Sequence, residues 1–121
     1  VNFLSDTIGV SSYGKEKISS GQCRLTKRPE IDLQGHSIIV VDDVIEGGRS
    51  LGFINRLLQD YSCQSIRFIT LLQKKEKLVE NGFKLFGNPI QVDDFWLIGC
   101  GMDEQEVEET RNLPKVYRKV N

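Results

Sequence analysis

Ser37-Ile38-Ile39-Val40-Val41-Asp42-Asp43-Val44-Ile45-Glu46-Gly47-Gly48-Arg49-Ser50-Leu51 is the stretch whose reading decides the fold. Ile38 to Val41 is an unbroken apolar run, the pattern of a strand at the centre of a parallel sheet, covered on both faces. Two adjacent carboxylates follow, then Val44 and Ile45, then a third carboxylate, Glu46. Gly47-Gly48-Arg49-Ser50 opens a segment to about Tyr61 in which Leu51, Ile54, Leu57 and Leu58 recur at helical spacing. The residues predict a buried strand that delivers acids to a glycine turn at a helix N-terminus. Such a turn offers backbone N–H groups and a positive dipole end to a phosphate. Carboxylates beside it suit a sugar diol, a bound Mg²⁺ or a proton transfer. Together these chemistries describe a phosphorylated sugar as ligand.

Working outward, Gln22 to Lys27 alternates as a strand does and Pro29 ends it; Asp32 to His36 reads as a turn. Ser65 to Leu72 is the next strand, followed by a short helix or turn from Lys74 to Asn81. Phe83 to Phe86 reads as a short strand before Pro89, and Phe95 to Cys100 as another, ending at Gly101. The acidic run Asp103 to Glu109 reads as a solvated face, and Val116 to Val120 as an edge strand. Val1 to Leu4 resembles a strand end. Ser5 to Gln22 shows no apolar periodicity and is expected to be a functional loop. Strand, helix, strand makes a βαβ unit, so the fold class is α/β with a parallel, Rossmann-like sheet. Ligands of such sheets bind beyond the carboxyl ends of the strands. Asp42, Asp43, Lys74 and Asp103 are all expected there, converging on one rim.

With 121 residues the chain holds at most one domain. A net charge of −1 gives no electrostatic basis for nucleic-acid binding. No apolar run reaches membrane-spanning length and no signal-peptide pattern opens the chain, so a cytoplasmic location and no membrane partner are expected. Cys23, Cys63 and Cys100 are unclustered; they read as reduced thiols, small apolar residues in or beside elements, without zinc-ligand spacing. The single histidine, His36, reads as a turn residue.

The segment Val40 to Ser50 resembles the 5-phosphoribosyl diphosphate (PRPP) motif of the type I phosphoribosyltransferases: a hydrophobic strand, two acids, two apolar residues, an acid, then a small-Gly-x-Thr/Ser turn. The resemblance covers almost the whole chain and is closest to the hypoxanthine-guanine phosphoribosyltransferases. It implies one phosphoribosyltransferase domain over residues 1–121, with a mobile loop at about 5–22 and the PRPP motif at 38–51. It implies transfer of ribose 5-phosphate from PRPP to a 6-oxopurine, with Mg²⁺ as cofactor, and commonly a homodimer or homotetramer. Val10-Ser11-Ser12-Tyr13-Gly14 resembles the loop's Ser-Tyr pair, so Ser12 and Tyr13 are expected to close over the site. Asp42 and Asp43 are expected to hold the ribose hydroxyls and help place Mg²⁺. Gly47, Gly48, Arg49 and Ser50 are expected to wrap the 5-phosphate, and Glu46 to take the proton from purine N7.

Leu71-Leu72-Gln73-Lys74-Lys75 resembles the strand end that supplies the family's purine-binding lysine. Lys74 would donate to the purine O6; an ammonium has donors only, so it favours a 6-oxopurine over adenine. Trp96-Leu97-Ile98-Gly99-Cys100-Gly101-Met102-Asp103 resembles the base-recognition segment. There Trp96 would stack on the base, Ile98 would present backbone groups to its edge, and Asp103 would bind a second Mg²⁺. Arg111, before Asn112-Leu113-Pro114, resembles the arginine at the diphosphate end, with a longer spacing from Asp103 than the family pattern has.

Two departures stand out. The family's usual residue at the Glu46 position is Asp. The strand and diphosphate-binding loop that precede this region in the family have no counterpart here, so the sequence is expected to be part of a longer protein. A non-catalytic PRPP- or nucleotide-sensing protein on the same fold is the competing expectation, and a sister transferase for another base a third.

Overall fold

The computed structural model describes residues 2–12, 22–75, 82–102 and 108–120. The fold is α/β. Its centre is a parallel sheet of β3 (Ser37–Ile45), β4 (Ser65–Lys74) and β5 (Ile90–Val92), in that order. For the hairpin that precedes it, β1 (Gly9–Ser12) pairs antiparallel with β2 (Cys23–Lys27). Helix α1 (Arg49–Gln59) makes the crossover from β3 to β4. A second antiparallel pair, β6 (Leu97–Ile98) with β7 (Tyr117–Arg118), follows, with the short α2 (Glu108–Arg111) between them.

The helical periodicity of Leu51, Ile54 and Leu58 gives α1 one apolar stripe, and all three are buried against the sheet. They join Leu33, Ile45, Phe68 and Phe83 in one core. Phe68, wholly buried in the middle of β4, meets Phe83 with ring centroids 5.3 Å apart and tilted, a favourable aromatic geometry. This core fixes β3 and α1 relative to one another, and so fixes the turn between them.

The sequence expectations need several corrections. β3 does not end at Val41 but runs to Ile45, its ladder with β4 continuing through Asp42↔Thr70 and Val44↔Leu72. The β-branched Val44 and Ile45 continue the ladder past the acids, so Asp42 and Asp43 stand on the strand rather than beyond it. Among the described residues β3 is an edge strand, not a central one. Its apolar run is two-faced because α1 covers one side only; Ile39 and Val41 are 60% and 74% exposed on the other.

Residues 2–4 form no strand, and β1 forms inside the span read as loop. Phe83–Phe86 reduces to a bridge, Phe68↔Leu85, while the third parallel strand is β5, immediately past Pro89. A proline just before a strand costs no ladder hydrogen bond. The strands read at Phe95–Cys100 and Val116–Val120 shorten to β6 and β7. Cys100 is exposed, not a small core residue, and takes a positive φ of 51° in a tight turn. Of the expected helix or turn at Lys74–Asn81, Lys74 closes β4 and residues 76–81 lie outside the described residues; so do residues 13–21 of the expected loop and 103–107 of the acidic run.

One carboxylate fastens the segment before β1 to the β2–β3 connection. Asp6 accepts hydrogen bonds from the backbone N–H of Thr7 (2.7 Å), Glu30 (2.5 Å) and Ile31 (3.2 Å) and pairs with Lys27 at 3.0 Å. These donors, Glu30 N–H foremost, hold its carboxyl well below the usual aspartate range. A depressed carboxylate stabilises the fold above its unfolded value and loses that contribution as pH falls through the native one. Asp6→Asn is therefore expected to lower Tm at pH 7, and the gap from wild type to narrow once pH drops below the ordinary value of 3.8, read by thermal melts across pH.

Candidate active site

The turn between β3 and α1 has the backbone geometry that an anion cradle requires. Gly48 is the N-cap of α1, in the left-handed region at φ 76°, where a β-carbon would be strained. Its side chain cannot cap the helix, and no acidic residue sits in the first turn. The opening N–H groups of a helix lack intrahelical acceptors by construction, so with no side-chain cap and no first-turn acid the dipole end favours an anion. The first helical hydrogen bond runs from Gly52 N–H to the Gly48 carbonyl at 2.8 Å. Arg49 and Ser50 are exposed on this turn, Gly47 is half-buried and Gly48 buried. The expected phosphate residues are thus brought together as one continuous turn.

Asp42 and Asp43 precede it on β3. Asp42 Oδ1 accepts the Asp43 N–H at 3.0 Å, and Asp43 Oδ1 accepts the Val44 N–H at 2.7 Å. Asp42 is half-buried and Asp43 exposed. Burial, reinforced by the neighbouring Asp43 carboxylate and partly offset by the Asp43 N–H, pushes Asp42 up to about 6. A carboxyl raised in the native state stabilises the fold below its unfolded value of 3.8, and that contribution is lost as pH rises through about 6. Wild type is expected to lose stability between these pH values. Asp42→Asn should flatten that part of a Tm-against-pH curve; an unchanged slope would place the proton elsewhere.

Across the rim stands Lys74, the last residue of β4. It was expected at a strand end, where a lysine is ordinarily solvated; instead it is only 5% exposed. Its ammonium is ion-paired with Glu46 at the end of β3 and with Asp94 at 3.4 Å in the bend after β5. Next to it, Lys75 pairs with Asp93 at 3.1 Å, and Lys75 N–H donates to the Val92 carbonyl at 2.8 Å. The ends of all three parallel strands are therefore tied together through two lysines and three acids. Sequence reading did not find Asp93 or Asp94. The signal was an acidic pair past a predicted strand, matched in number to the Lys74-Lys75 pair.

Trp96 is 51% exposed, not a core tryptophan, and its carbonyl accepts the Lys119 N–H at 2.8 Å. Ile98 pairs with Tyr117 in the separate β6–β7 sheet. Past it, Gly99 to Met102 folds back on itself through two mutual hydrogen bonds, Gly99 N–H to Met102 O and Met102 N–H to Gly99 O, at 2.9 and 3.0 Å. Only glycine fits position 99: φ is 94°, and a β-carbon would lie 2.0 Å from the Lys115 carbonyl oxygen. Gly101 N–H donates to the Arg111 carbonyl at 3.0 Å, which brings Arg111 beside the segment leading to Asp103. Ser12 ends β1 opposite Cys23. Tyr13 and Asp103 lie outside the described residues.

Among the described residues no group of three or more His, Cys, Asp and Glu gathers as a metal site. Mg²⁺ needs less from a protein: one or two carboxylates, with substrate oxygens and water completing the octahedron. Asp42 and Asp43 are hard oxygen donors whose mutual repulsion a cation would relieve, and to that extent they fit.

Paired acids, a glycine turn at a helix N-terminus and a buried lysine thus share one rim of the sheet. The family model described as phosphoribosyl transferase domain matches residues 3–105, and the chain belongs to that family. It is similar to the hypoxanthine-guanine phosphoribosyltransferase of Bacillus subtilis (strain 168), 31% identical over 114 residues, 92% of this chain and 60% of the relative. It is similar also to that of Aquifex aeolicus (strain VF5), 34% identical over 109 residues, 89% of this chain and 59% of the relative. A solved Bacillus anthracis hypoxanthine-guanine phosphoribosyltransferase with a HEPES molecule in its active site superposes with a TM-score of 0.78 at 30% identity, covering 93% of this chain and 65% of that one. The chain thus spans about three-fifths of the length of the curated relatives it matches. No helix among the described residues is long and apolar enough to cross a membrane.

Proposed function

We propose that this chain carries the catalytic part of a purine salvage transferase, moving the 5-phosphoribosyl group of PRPP to a 6-oxopurine such as hypoxanthine or guanine. The observation that carries the reading is the ion pair of Glu46 with the buried Lys74, which sets a carboxylate and an ammonium side by side next to the phosphate cradle. A purine laid there meets a proton acceptor for its imidazole edge and a donor for O6.

In this reading the bond from ribose C1 to the diphosphate oxygen breaks, and diphosphate leaves with the electron pair. The bond from C1 to purine N9 forms. The N7 proton passes to the Glu46 carboxylate. Gly47, Gly48, Arg49 and Ser50 hold the 5-phosphate, and Asp42 and Asp43 hold the ribose hydroxyls. Trp96 stacks on the base at about 1–3 kcal/mol by analogy with other base–aromatic contacts. Ile98 offers backbone groups to the base edge, and Arg111 stabilises charge on the diphosphate. Ser12 and Tyr13 close the loop over the reacting centre and keep water out. Asp42, Asp43 and Asp103, with the substrate's oxygens, would hold Mg²⁺, which when bound would supply electrostatic stabilisation of the leaving group. A homo-oligomer and a cytoplasmic setting belong to the same reading.

Glu46 in place of the family's usual Asp, already tied to Lys74, favours one competing reading, a PRPP or nucleotide sensor without turnover. Calorimetric titration with PRPP and Mg²⁺ tests what both share. Saturable binding, abolished when Gly48→Val crowds the turn, is expected; absence of binding by the folded wild type would contradict the transferase and a PRPP sensor alike.

A further inference from the structure

Lys74 carries its charge at a side-chain exposure of only 7%, while its two partners are far more open, Glu46 at 56% and Asp94 at 47%. An ammonium withdrawn from water this far is strongly stabilised by an anion beside it, and losing that anion is costly. Glu46 cannot always be that anion. On the transferase reading above, on which this inference rests, Glu46 becomes neutral when it accepts the purine proton, and it must turn toward the purine to do so. At that moment Asp94 is, among the described residues, the remaining carboxylate within ion-pair distance of Lys74.

Asp94 is well placed for this. It stands in the bend after β5, and that bend is registered against the end of β4 by the Lys75–Asp93 pair and by the bond from Lys75 N–H to the Val92 carbonyl. Its carboxylate therefore does not depend on where Glu46 points.

We propose that Asp94 is a positioning residue: it holds the Lys74 ammonium at the rim so that Glu46 is released to the purine while Lys74 stays aimed at O6. Without Asp94, Glu46 remains the counter-ion of Lys74, and the purine has to compete with Lys74 for it.

Steady-state kinetics and the Lys74 ammonium NMR signal test this together. Asp94→Asn is expected to raise KM for the 6-oxopurine about tenfold or more, the scale of one charged hydrogen bond, with KM for PRPP unchanged and most of the loss recovered in Asp94→Glu. An unchanged purine KM, or equal loss for both substrates with a lower Tm and no recovery in Asp94→Glu, would overturn the assignment. The NMR arm requires no turnover. The Lys74 ammonium signal, identified by its absence in Lys74→Arg, is expected to persist in Glu46→Gln because Asp94 still holds it. Its disappearance there would overturn the assignment. A wild type that forms no nucleotide defeats the transferase reading alone, and the ammonium signal then decides whether Asp94 holds Lys74.

Discussion

Glu46→Gln is expected to slow nucleotide formation by about 10²–10⁴-fold, the usual contribution of a positioned general base, with PRPP affinity intact. Glutamine keeps the size and hydrogen-bonding reach of the side chain but does not accept a proton at neutral pH. The ion pair with Lys74 shows that the Glu46 carboxylate reaches the end of β4. Displacement of a reacting group by about 1 Å can cost a hundredfold, so Glu46→Asp is the informative companion variant. A faster Glu46→Asp enzyme would mean that the native glutamate is retuned away from optimal transfer. Single-turnover rates at saturating PRPP separate the chemical step from binding. Turnover retained in Glu46→Gln would mean that the proton leaves by another route.

The second large effect is expected at Lys74. Lys74→Ala removes the only group assigned to purine O6 and should lower kcat/KM for hypoxanthine and guanine by about ten- to a hundredfold, the range of a lost charged hydrogen bond. Preference for 6-oxopurines over adenine should collapse with it, because the ammonium offers donors only. The fold should survive: Glu46 and Asp94, left without the ammonium, are each about half exposed and can take up water. Competition assays with the four bases measure the preference directly. An unchanged preference would refute the assignment of O6 to Lys74.

How much of this was legible in the sequence varies by element. The βαβ core was, because α1 carries its periodicity in Leu51, Ile54 and Leu58 and β4 is rich in β-branched, aromatic and aliphatic residues from Ile66 to Leu72. The Gly-Gly turn between β3 and α1 was legible too, since glycine frees the backbone where a strand gives way to a helix. The edge hairpin was not: Gly9-Val10-Ser11-Ser12 has one strong strand former, and it becomes a strand only by pairing with Cys23–Lys27 well down the chain. β5, three residues immediately past Pro89, was not read as a strand, although a proline just before a strand costs nothing in the ladder.

At the site, residue types were legible and environments were not. Nothing in Leu71-Leu72-Gln73-Lys74-Lys75 announces that Lys74 is buried and Lys75 exposed; the alternation of β4 against the core decides it. Asp94 acquires a role only once β5 lies beside β4, a long-range pairing that no local window contains. Asp42 likewise owes its raised carboxyl to burial on the α1 side of β3 rather than to its sequence neighbours alone.

Incubation of the protein with PRPP, Mg²⁺ and, separately, hypoxanthine, guanine, xanthine and adenine, followed by quantitation of nucleotide and diphosphate, tests the central claim most directly. Nucleotide from a 6-oxopurine in equimolar yield with diphosphate, and none from adenine, is the predicted result. No nucleotide from any base by a folded chain that binds PRPP would contradict it and leave the sensor.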